Sequence, residues 1–250
     1  MPLVSETTTE RRGPLVIAHG GASDAMPENT IAAFERALEE GADALALSVH
    51  LSADDQPVVI QDFTLERTTD GAGPVRSATV RQLKRLDAGG WRGQRYRGQR
   101  IQTLQEVFER FRDRTCFWLD LKGGPALYAE IEERVLSTVE IYETLERTLV
   151  FSPDATAPIR LRQLSAQVRL GARPDARSLR ALMIAPGPLQ AVCPQPELLS
   201  EITAEEIRAA GLECYAGVTG EPAFVDRLAA WGIDGILTDR PSRVRARLGR

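Results

Sequence analysis

Histidine is almost absent from this chain of 250 residues, which holds only His19 and His50. A two-histidine acid–base scheme would have to use both. Cysteine is scarce as well. Cys116, Cys193 and Cys214 each lie inside an apolar run, without metal-ligand spacing. They read as buried free thiols of a reducing compartment, so the expected location is cytoplasmic. Strong charge of either sign is missing too. The formal net charge of −4 gives no global field to attract a nucleic acid, and no such partner is expected. Met1 to Arg12 is polar and ends in Arg11-Arg12, with no apolar stretch fit for a signal peptide or a transmembrane segment. It reads as a mobile tail. Internal repeats and low-complexity stretches are also lacking.

What the chain does have is apolar residues, 43% of the total, enough for a sizeable core. They fall in short runs that alternate with helical patterns. The runs Leu15–His19, Ala44–His50, Cys116–Lys122, Thr148–Ser152, Gln167–Leu170, Gln190–Cys193, Glu213–Val218 and Gly235–Thr238 read as strands. Helices are expected from Ile31 to the Gly41 stop, at Leu104–Phe111, over roughly Leu127–Tyr142, near 156–164, 176–183, 203–210 and 222–231, and in the C-terminal RVRARLGR. Eight strands with helical crossovers make the fold class α/β: a (β/α)8 TIM barrel over residues 13–250, as a single domain.

The stretch 41–62, GADALALSVHLSADDQPVVIQD, departs from that rhythm. Leu45, Leu47 and Val49 alternate with Ala46, Ser48 and His50, as in a strand. The link 51-LSADDQ-56 is too short for a parallel crossover, so Val58–Ile60 must fold back antiparallel as an arm outside the barrel count. Residues 63–103 are then too long for a connection, and 51–103 reads as an inserted hairpin and loop region.

In a TIM barrel the site lies where the strands end. Those ends carry His19, Ser48 and His50, Asp120 and Lys122, Ser152, Thr219 and Asp239. Asp120 and Lys122 set an acid and a base two residues apart on one strand face, costly to bury unless they serve a ligand. His19 precedes Gly20-Gly21, which lets a ligand approach the backbone. His50 reads as a filler of the barrel mouth, and the arginines of 92-RGQRYRGQR-100 as a solvated loop.

The ordered set AHGG (18–21), PENT (27–30), GADALALSV (41–49), PVVIQD (57–62), LERTTDGAG (65–73), LDAGGW (86–91), WLDLK (118–122) and GIDGILTDRP (232–241) resembles the glycerophosphodiester phosphodiesterase family across nearly the whole chain. The resemblance implies a TIM barrel and metal-assisted cleavage of a phosphodiester between glycerol phosphate and an alcohol. It also implies where reactive groups should stand, and there this sequence departs. The family His-Arg pair is His19 followed by Gly20. The Glu-x-Asp metal pair falls on Ala46 and Ser48, and the second catalytic histidine on Gln61, before Asp62. The Glu-x-Lys acid is Asp120, shorter by one methylene, with Lys122 intact. Glu28 of PENT stands as expected, and the Trp-Thr-Val-Asn stretch of strand 7 reads Gly217-Val218-Thr219-Gly220.

A hard ion such as Ca²⁺ or Mg²⁺ needs several oxygen ligands, usually with two or more carboxylates. Only Asp120 remains as a residual metal ligand, so no cofactor is expected. Gln61 cannot exchange a proton near neutral pH. The residues therefore imply a degenerate member of the family, a pseudoenzyme that keeps a pocket for a small phosphodiester or other anion, with His19 as the residual catalytic group and Glu28 and Lys122 as substrate-binding residues. Two alternatives stand beside it. One is a weak or metal-independent phosphodiesterase using His19 and Lys122, a divalent metal entering only on that reading. The other is a structural or regulatory barrel that binds a protein.

Overall fold

The computed structural model describes residues 13–217 and 221–250, so the expected tail at Met1–Arg12 and the strand-7 end Val218-Thr219-Gly220 lie outside the described residues. The strands are β1 (Leu15–His19), β2 (Ala44–Leu51), β3 (Pro57–Val59), β4 (Gln102–Thr103), β5 (Cys116–Leu121), β6 (Thr148–Phe151), β7 (Arg169–Ala172), β8 (Ala191–Val192), β9 (Glu213–Ala216) and β10 (Gly235–Thr238). Eight of them, all but β3 and β4, pair parallel in the order β1-β10-β9-β8-β7-β6-β5-β2, and a β1–β2 pairing closes the ring. The closed (β/α)8 barrel follows from parallel strands buried on both faces; all eight residues of β2 are buried. β3 turns back antiparallel on β2, with Val49 opposite Val59 and His50 opposite Val58. β4, unanticipated in the sequence, continues that arm through Val58 opposite Thr103.

The helices are α1 (Ile31–Glu39), α2 (Val80–Leu83), α3 (Leu104–Phe111), α4 (Ile131–Ile141), α5 (Ala157–Leu164), α6 (Ala176–Ile184), α7 (Glu201–Ala209), α8 (Pro222–Ala230) and α9 (Pro241–Arg247). The expected Leu127–Tyr142 helix is shorter at its start, because Gly123 takes φ +76° and Leu127 and Tyr128 close turns onto the Gly124 carbonyl. β7 lies two residues later than Gln167–Leu170. Gly171, between Leu170 and Ala172, leaves room for the Phe151 ring, which a Cβ there would meet at 2.2 Å.

Two apolar layers hold the fold. Val16, Phe34, Leu47, Phe117 and Val150 belong to the layer between strands and helices. Ile17, Ala46, Trp118, Phe151, Tyr215 and Leu237 fill the barrel. The Trp118 and Phe151 rings stack with centroids 3.7 Å apart and planes 5° apart, and Tyr215 meets Trp118 edge-on at 5.2 Å. Inward positions alternate along each strand. The same parity that buries Trp118 and Ala46 aims Asp120, Lys122 and Ser48 toward the open end.

Candidate functional site at the barrel mouth

The register of the first strands sets the site side by side. His19 is the cross-strand partner of Ala46, Ala46 of Trp118, and Ser48 of Asp120. Neighbouring strands lie about 4.8 Å apart, so these positions face one another across single strand spacings.

The loop after β1 is built by its own backbone. Gly20 takes φ +64°, its N–H donates to the Ala46 carbonyl at 2.9 Å, and its carbonyl accepts from Asn29 N–H at 2.9 Å. Thr30 then caps α1, accepting from Ala33 N–H at 3.2 Å and donating to the Pro27 carbonyl at 2.7 Å. The PENT stretch is thus a helix start that holds Glu28 against the mouth. There Glu28 receives two hydrogen bonds from Arg67, at 2.7 and 2.9 Å, while the same guanidinium reaches both oxygens of Asp62 at 2.5 and 2.8 Å. These bonds hold the Asp62 carboxyl below its ordinary pKa. Arg67 therefore latches the inserted region to the barrel. Its motif was visible in the sequence, but nothing there gave it this role.

Where the resemblance implies an acid and a histidine, Ser48 Oγ donates to Gln61 Oε1 at 2.5 Å. Both partners are neutral. Asp120, 7% exposed, accepts from Lys122 Nζ at 2.5 Å and has Arg173 at 3.4 Å. Arg173 escaped the sequence reading because the expected strand Gln167–Leu170 stops two residues before the end of β7. The alternation of Arg169, Gly171 and Arg173 was the available signal.

His19 ends β1 facing this cluster. Burial lowers its pKa first, and the charges of Lys122 and Arg173 lower it further against the opposing pull of Asp120 and Glu28. A neutral imidazole results. His50 is fully buried. Its Nδ1 lies 2.8 Å from the Tyr128 hydroxyl and its Nε2 3.4 Å from the Gln61 carbonyl, and the ring meets Phe63 edge-on at 5.1 Å. It ties the loop after β5 to the hairpin arm. Of the arginine loop, Arg95 covers the Tyr96 ring at 4.6 Å, and Arg100 donates to the carbonyls of Arg85 and Leu86. Cys116, Cys193 and Cys214 are buried thiols outside any disulfide, and burial raises those of Cys193 and Cys214 to about 11 and about 12. Gly217 is described, whereas Thr219 is not.

The donor set does not fit a Ca²⁺ or Mg²⁺ ion. The Ala46 side chain has no oxygen to offer and its carbonyl accepts from Gly20 N–H, the Ser48 hydroxyl is engaged by Gln61, and Asp120 is held by Lys122. Among the described residues no group of three or more His, Cys, Asp or Glu side chains gathers as a cation site. No described helix is long and apolar enough to cross a membrane.

A closed parallel barrel whose strand ends converge on His19, Asp120 and Lys122 can now be set beside known proteins. The profile of the glycerophosphoryl diester phosphodiesterase family matches residues 19–243. The chain is 35% identical over 237 residues to a glycerophosphodiester phosphodiesterase from Caldanaerobacter subterraneus subsp. tengcongensis, covering 91% of this chain and 94% of that one. A phosphodiesterase from Oleispira antarctica, solved in complex with the product sn-glycerol-3-phosphate, superposes with a TM-score of 0.86 at 26% identity, over 95% of this chain and 98% of that one. A glycerophosphodiester phosphodiesterase from Agrobacterium tumefaciens superposes with a TM-score of 0.83 at 28% identity, over 93% and 99%. The chain belongs to the glycerophosphoryl diester phosphodiesterase family.

Proposed function

We propose that this member of the family binds a small phosphate-bearing ligand at the barrel mouth without hydrolysing it at an enzymic rate. The carrying observation is the bond between Ser48 Oγ and Gln61 Oε1. Two positions where the resemblance implies a metal carboxylate and a proton-exchanging histidine carry neutral groups that satisfy each other. Loss of one acid–base partner costs about 10²–10⁴ in rate, and loss of the metal several kcal/mol more. Either leaves little of a normal rate. The cationic side of the mouth is kept, since Lys122 survives and Ala46 and Ser48 add no negative charge. That balance suits an anion. The Oleispira protein holds sn-glycerol-3-phosphate, and a ligand of that kind, from glycerophosphodiester metabolism in the cytoplasm, is our reading for this chain.

A second reading, a weak metal-independent phosphodiesterase, draws support from His19. Its neutral imidazole beside Lys122 could accept a proton. Calorimetric titration with sn-glycerol-3-phosphate in EDTA tests the first reading: saturable binding supports it, and absence of binding defeats it. Slow turnover in EDTA that disappears in His19→Ala would favour the second.

A further inference from the structure

We propose that Arg173 joins Lys122 as a two-pronged oxyanion cradle at the barrel mouth, where a guanidinium does the charge-neutralising work of an absent metal ion. The proposal rests on the reading that the mouth takes a phosphate-bearing ligand, and it names the group that grips the phosphate.

Position comes first. Arg173 follows β7 directly and shares the inward parity of Arg169 and Gly171. Gly171 has no side chain to block the Phe151 ring, so Arg173 is the first inward side chain above the ring stack on this strand. Its Cζ lies 5.9 Å from the Trp118 ring centroid. The guanidinium hangs over an apolar floor where its stem can pack and its head stays wet.

Charge comes second. Asp120 is one anion facing two cations, Lys122 and Arg173. Glu28 and Asp62 share the single guanidinium of Arg67, which leaves one negative charge on that latch. The group of Asp120, Lys122 and Arg173 taken alone carries one surplus positive charge, and an anion is its natural complement.

Freedom comes third. Lys122 is 14% exposed and pinned at 2.5 Å, while the Arg173 side chain is 42% exposed and stands 3.4 Å from the same oxygen. That separation is longer than a charge-assisted hydrogen bond of about 2.7–2.9 Å. Among the described residues Arg173 has no closer partner. Its planar fork can turn to a phosphoryl group and bind two oxygens through parallel N–H groups, a geometry an ammonium does not present. Lys122 supplies the fixed prong and Arg173 the adjustable one.

The test is calorimetric titration in EDTA with inorganic phosphate and with sn-glycerol-3-phosphate. Wild type, Arg173→Ala, Arg173→Lys and the surface control Arg227→Ala are compared, with thermal melts to show that each is folded. A lost charge-assisted pair of hydrogen bonds should weaken binding by about tenfold to a hundredfold in Arg173→Ala. Arg173→Lys should fall between, because it keeps the charge and loses the fork. Arg227→Ala should bind as wild type does. Binding by wild type that is unchanged in Arg173→Ala overturns this inference and leaves the proposed function standing. Binding by wild type that survives fully in Arg173→Lys overturns the role of the fork. No binding by wild type overturns both.

Discussion

Lys122 Nζ lies 2.5 Å from Asp120 Oδ2, so the one acid left where the resemblance implies metal ligands already has its counter-charge within the chain. A divalent ion would have to break that pair, and the neighbouring positions Ala46 and Ser48 return no carboxylate. We expect calorimetry with Mg²⁺ or Ca²⁺ to find no micromolar site in wild type. A micromolar site that vanishes in Asp120→Asn would contradict this.

The same pair bears on stability. Removing one partner of a buried ion pair costs about 3–5 kcal/mol. Arg173 remains near Asp120 in Lys122→Met, which sets the expected loss at the lower end, about 3 kcal/mol. Urea denaturation measures it. A variant as stable as wild type would show that Lys122 is not a structural partner of Asp120.

His50 makes the fold acid-sensitive. Desolvation, with a smaller push from Lys122, lowers its pKa to about 4, while the Gln61 carbonyl and the acids Asp62 and Asp120 pull the other way. The unfolded chain takes up this proton near 6.5 and the native state only near 4, so stability is complete above about 6.5 and falls as pH drops through that window. The loss amounts to about 3 kcal/mol, and His19, also lowered, adds in the same sense. Urea midpoints measured from pH 7 to pH 4 should fall steeply for wild type and less for His50→Gln. Equal slopes would remove His50 from the account.

Restoring the missing groups should restore chemistry. The set is Gly20→Arg, Ala46→Glu, Ser48→Asp and Gln61→His. Ser48 and Gln61 already touch, so the new acid and imidazole would be neighbours. Gly20 is the costly position: at φ +64°, with a Cβ 3.3 Å from the Glu28 Cβ, any side chain adds about 1–2 kcal/mol of backbone strain. Single changes should do little, because these groups work as a unit. The quadruple variant should release glycerol phosphate from a simple glycerophosphodiester in a metal-dependent way. A folded quadruple variant that stays at background would show that the scaffold has changed beyond these four positions.

Much of this architecture is written in local pattern. Alternation along β2 and the short LSADDQ link were enough to place the arm antiparallel and outside the barrel. Strand parity put Ala46 with Ser48 and Asp120 with Lys122 on shared faces, while the register that sets Ala46 beside His19 and Ser48 beside Asp120 came only with the structure. What stayed hidden depends on partners distant in sequence. Arg67 reaches back to Glu28 across the insertion, and His50 meets Tyr128 on the loop after β5. Arg173 was missed for a local reason, since Gly171 interrupts the apolar run and makes β7 appear to end early. The start of α4 was misjudged because apolar spacing continues through Leu127 and Tyr128, whose N–H groups close a separate turn onto Gly124 ahead of Ile131.

The central claim is loss of turnover in an intact fold, and one assay meets it directly. Purified wild-type protein is given a simple glycerophosphodiester in Mg²⁺, in Ca²⁺ and in EDTA, and released glycerol phosphate is quantified. The account predicts background release in all three. Turnover at or above about 1 s⁻¹, typical of enzymes, that EDTA abolishes would contradict it.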